Sequence, residues 1–124
     1  MLAFTDPREA YRRSEIEARI QGIGDPGDLV RICIEQVVGG LGLALITNKR
    51  PDPAARSKAL SRALSALIAL EMGVDQSAPL APALMQLYGA AKRTILDSVI
   101  SFDSEMLGRV RADFIEIGRT LKNA

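Results

Sequence analysis

The side chains able to do chemistry in this chain are few, and their spacing assembles none of the usual sites. There is no histidine, which removes the commonest general acid/base and the commonest metal ligand. The single cysteine, Cys33, would need an activating base to act as a nucleophile, and none is identifiable. On a helix step between Leu29 and Val37 it reads as a small buried hydrophobe. The carboxylates Glu35, Asp97 and Asp113 could meet inside a helical bundle, but no Glu-x-x-His pair exists for a di-iron site. Gly39-Gly40-Leu41-Gly42 has neither a preceding strand nor a following Gly-Lys-Ser/Thr, so it is not a phosphate loop. These residues predict no catalytic group, no metal site and no cofactor. They point to a binding protein.

The elements that would carry a binding surface follow from composition. A chain of 124 residues with 48% hydrophobic content fits one domain over residues 1–124 with a single core. Two Tyr, three Phe and no Trp make that core aliphatic. Alternating β-branched runs are scarce, and no Asn-Gly or Asp-Gly pair announces a hairpin. Sixteen Lys and Arg against fifteen Asp and Glu leave a formal charge of +1, spread along the chain. That is not the basic stripe that nucleic-acid binding needs. One cysteine cannot form an internal disulfide and suits a reducing cytosol. The first residues carry charges early and lack the apolar core of a secretion signal. The longest apolar run, residues 37–46, has ten residues, short of the roughly 18–20 that span a bilayer. The expectation is a soluble, cytoplasmic protein with no membrane insertion.

Asp6-Pro7, Asp25-Pro26 and Asp52-Pro53 each pair an N-cap residue with a proline suited to the first helical position. Glu9, three residues after Asp6, makes a capping box. The helix it opens, about residues 7–21, has a thin apolar stripe (Tyr11, Ile16, Ile20) and reads as an arm over residues 1–24. The bundle proper spans residues 25–122. Its first helix carries Leu29, Val30, Ile34, Val37, Val38, Leu41 and Leu45 on one broad face. The next, about residues 53–72, carries Leu60, Leu64, Leu67 and Ile68, with Gly73 placed to end it in a left-handed conformation. Pro79 or Pro82 opens the third, whose stripe runs Leu84, Leu87, Tyr88, Ala91, Ile95, Val99 and Phe102. Asp103 caps the last, in which Met106, Val110, Phe114, Ile117 and Leu121 recur at helical steps. Short connections favour an all-α antiparallel four-helix bundle with an extra short N-terminal helix.

Gly39, Gly40 and Gly42 each cost about 1 kcal/mol relative to alanine inside a helix. Close approach of another backbone would offset that cost. The approaching helix belongs either to the same bundle or to a partner.

Several residues resemble the flagellar export chaperones of the FliS family. Ala10-Tyr11 matches an Ala-Tyr near the N-terminus of those proteins, and Pro26 stands where they have Ser-Pro or Thr-Pro. Val30, Glu35, Val38 and Leu41 follow the family's apolar, acidic, apolar, apolar series. Leu80-Ala81-x-x-Leu84-x-x-Leu87-Tyr88 is similar to its apolar-Ala-x-x-Leu-x-x-Leu-Tyr segment. Ile34 stands where the family often has an aromatic residue, and its C-terminal tryptophan is missing here. The resemblance implies a chaperone that binds the disordered C-terminal segment of flagellin in apolar interhelical grooves, prevents early polymerisation and delivers it to the type III export gate. By position, Ile34, Val38 and Leu41 and, further on, Leu84, Leu87, Tyr88 and Ala91 become groove candidates, and Gly39, Gly40 and Gly42 would admit a client helix. Tyr11 caps the groove, contacts the gate, or staples the arm to the bundle. The alternative is a self-associating helical bundle, such as a homodimer, unrelated to flagellin.

Overall fold

A computed structural model describes residues 26–122. The expected N-terminal helix, with Tyr11, and the cap Asp25 lie outside the described residues. Four helices follow in order: α1 (Pro26–Ile46), α2 (Pro53–Met72), α3 (Ala81–Ile100) and α4 (Ser104–Lys122). Two starts are fixed by local chemistry. The Asp52 carboxylate accepts the Ala55 N–H at 3.1 Å, and the Asp103 carboxylate accepts the Met106 N–H at 3.0 Å. Helix α3 begins after Leu80 with Pro82 in its first turn, where no N–H is needed.

Two expectations are corrected. Gly73 ends α2 with φ −88° and ψ −2°, which is right-handed, not left-handed. Its N–H donates to the Ala69 and Leu70 carbonyls, so the last turn tightens and no positive φ is required. Phe102 is not part of α3, which stops at Ile100. Its ring instead sits in the α3–α4 connection under the Arg56 guanidinium, 3.7 Å from Cζ to the ring centre. Arg56 also donates to the Thr47 hydroxyl at 2.7 Å and the Thr47 carbonyl at 3.0 Å. One side chain thereby joins both connections at that end of the bundle.

Helix α1 packs most heavily on α2, then on α4; α3 leans on α2 and touches α4 least. Short connections make consecutive helices antiparallel neighbours. Val37, Leu41, Ala63, Leu67, Ile95, Leu107 and Phe114 are fully buried and form one core. Alanines on the buried face of α2 let α1 approach closely. A Cβ built on Gly40 would stand 2.9 Å from the Ala59 carbonyl oxygen and 3.0 Å from the Ala63 nitrogen. By length and composition α1 is apolar enough over Gly27–Ile46 to cross a membrane, which counting consecutive apolar residues does not reveal. In the bundle it is the central helix, flanked by α2 and α4.

Candidate binding groove

On the seam between α1 and α4 the packing leaves a cleft of about 380 Å³, floored by Ile34 and Val38 from α1 and Phe114 and Ile115 from α4. Gly39 and Gly118 border it, and the absence of a side chain on Gly118 leaves room beside Ile34, whose Cγ2 would stand 3.4 Å from an added Cβ. Its rim carries Arg31, paired with Asp28, Arg119, paired with Glu116, and the exposed carboxylate of Glu35. Gly39 also borders a second hollow on the same seam, about 560 Å³, lined by Gly42, Leu43, Leu45, Ile46, Lys49 and Arg111. Leu43 is 50% exposed and Ile46 59%. Glu35, Gly39, Gly42, Ile46 and Lys49 are spaced in alternating steps of four and three. That is the spacing at which one helix meets another along a seam.

Two guanidinium groups flank this strip. Arg111 donates from Nε to the Val38 carbonyl at 3.1 Å, and Gly42 makes its room, because a Cβ there would lie 3.1 Å from the same Nε. On the other side Arg62 donates to the Gln36 side-chain oxygen at 2.6 Å. Its Nη2 would stand 3.0 Å from a Cβ on Gly39.

The residues singled out from the sequence divide between two places. Ile34, Val38 and Gly39 line the cleft, and Gly39 and Gly42 line the adjoining hollow. Gly40 and Leu41 are buried, with Gly40 set against the α2 backbone. On α3, Tyr88 and Ala91 are buried, while Leu84 and Leu87 are partly buried against the core. None of these four lines the α1/α4 seam. Tyr88 reaches it from behind, its ring centre 6.2 Å from that of Phe114. Leu43, Ile46, Phe114, Ile115, Arg62 and Arg111 were not singled out. The available signal was that Leu43 and Ile46 fall off the main α1 stripe. A separate apolar patch, Leu96, Val99 and Ile100, is exposed on α3.

Burial, and then the neighbouring Cys33, push the Tyr88 phenol above its ordinary value of 10.0. A raised folded-state value means the contribution to stability is complete below about pH 10 and is lost as pH climbs through the folded value. Melting temperature should therefore fall more steeply in alkaline buffer for the wild type than for Tyr88→Phe. Parallel curves above pH 10 would show that the phenol is not held neutral by its surroundings.

An apolar seam on the outside of a closed all-α bundle places the chain among the small four-helix-bundle proteins. The family described as Flagellar protein FliS matches residues 7–124, and the chain belongs to that family. A search of curated protein sequences returned no match. The family comprises flagellar export chaperones, soluble proteins of the cytoplasm whose general partner is flagellin, and this chain is a flagellar export chaperone.

Proposed function

We propose that this protein receives the disordered C-terminal segment of flagellin on the α1/α4 seam. It thereby keeps flagellin from polymerising early and delivers it to a component of the type III export gate. The observation that carries the reading is the pair of adjoining apolar hollows sharing Gly39, open at Leu43 and Ile46 over a closed core. Such a strip suits helix-in-groove recognition, in which apolar residues one helical turn apart enter the hollows. Ordering a disordered segment costs about 2–5 kcal/mol of the contact energy, so an extended contact is required.

In this reading Ile34, Val38, Gly39 and Gly42 meet the client. Gly40, Leu41, Leu84, Leu87, Tyr88 and Ala91 hold the groove's shape from behind. Tyr11 serves as a cap or as a contact for the gate. Titration calorimetry with the C-terminal segment of flagellin from the same source should give saturable binding near one to one, with a negative heat-capacity change. No heat, together with a mass that rises with concentration in light scattering, would instead favour a self-associating bundle.

A further inference from the structure

We infer that the hollow around Gly42 selects an amphipathic helix bearing carboxylates on the flanks of its apolar stripe, with Arg111 and Arg62 as the specificity-determining residues. The inference rests on the groove reading above and names the chemistry of its occupant.

The floor of this hollow is apolar through Leu43, Leu45 and Ile46, and the charged groups lining it are Lys49 and Arg111, with no carboxylate among them. Arg111 uses Nε on the Val38 carbonyl. Neither Arg111 nor Arg62 has a carboxylate within salt-bridge reach among the described residues, and Arg62 is bonded to the neutral Gln36. At the other end of the seam Arg31 and Arg119 each already have a carboxylate partner. Lys49 and Arg111 thus line the half where Leu43 and Ile46 are exposed, and Arg62 lies across α1 beside Gly39 and Gln36. Carboxylates beside an apolar stripe would meet both features at once, and Arg offers planar paired donors to them.

In a two-fold contact between copies residue i meets residue j and only groups at the axis meet their own counterparts, so a second copy is tested directly. A mass that rises with concentration, lost on adding the Glu peptide, would place a second copy on this strip and overturn the inference. An anionic bilayer also combines apolar and negative surface, so vesicle binding is included among the outcomes that overturn the inference.

The test uses the full-length protein and two synthetic helical peptides with the same apolar stripe, flanked by Glu in one and Gln in the other. Fluorescence anisotropy at low salt should show the Glu peptide binding at least about tenfold tighter, a preference that shrinks as salt screens the charges. Arg62→Gln and Arg111→Gln should each remove roughly fivefold of it. Arg62 makes only an exposed contact with Gln36, so Arg62→Gln keeps the test valid if Arg111→Gln loosens the α1–α4 contact. Equal affinity for the two peptides overturns the inference, as does a preference indifferent to both arginines. Failure of the Glu peptide to bind, or binding only to phosphatidylserine vesicles, overturns it as well.

Parallel calorimetry with the flagellin segment separates the two readings. Flagellin binding that ignores salt and both arginines overturns this inference and leaves the groove assignment standing. Tight binding of the Glu peptide with a silent flagellin segment does the reverse.

Discussion

Gly40→Leu should destabilise the bundle by about 3 kcal/mol, because it forces a side chain into a contact between two backbones. The nearest atoms to an added Cβ are the Ala59 carbonyl oxygen, the Ala63 nitrogen and the Ala63 Cβ, at 2.9, 3.0 and 3.2 Å. Backbone atoms of a packed helix cannot swing aside as a side chain end can, so α1 and α2 would have to separate. The contrast within the same protein is sharp. A Cβ on Gly89 or Gly108 meets nothing within 4 Å, so Gly89→Ala and Gly108→Ala should stabilise by up to about 1 kcal/mol through helix propensity alone. Urea unfolding of the three variants checks both signs. A neutral Gly40→Leu would mean that the α1–α2 contact is looser than its geometry states.

The second large effect concerns the groove. Val38 and Ile115 both line the cleft and are partly buried. Changing both to Gln should weaken flagellin-segment binding about 100-fold, since each apolar anchor lost from a contact costs on the order of 1.5 kcal/mol. Thermal unfolding should change modestly, because neither side chain belongs to the fully buried core. Ile100→Gln is the matched control: Ile100 is 90% exposed on the α3 patch, away from the seam. Calorimetry should find its affinity unchanged. A loss at Ile100 with none at Val38 and Ile115 would move the client to α3.

Much of the fold was legible because its signals are local. Asp52 and Asp103 each bond an N–H three residues on, within reach of a cap whatever the rest of the chain does. Gly73 and Phe102 depart from their sequence pattern for opposite reasons. Glycine permits a left-handed turn without requiring one. Phe102 continues the α3 period, but its place is set by Arg56 from α2, a tertiary contact that no period encodes. The groove was half legible. Periodicity groups Ile34, Val38, Leu41 and Leu45 on one broad face, and only packing divides that face. Leu41 goes to the core, whereas Val38 goes to the cleft against α4 and Leu45 to the neighbouring hollow. The Arg111 bond to Val38 joins residues 73 positions apart, and in the sequence Arg111 looks no different from Arg109, which pairs with Glu105 on its own helix.

A methyl NMR titration of this protein with the C-terminal segment of flagellin locates the client on the bundle. The account predicts that methyl signals of Val38, Leu43, Ile46 and Ile115 shift and saturate together, while those of Leu96, Val99 and Ile100 stay in place. Shifts confined to the α3 patch, with the α1/α4 seam silent, would contradict it.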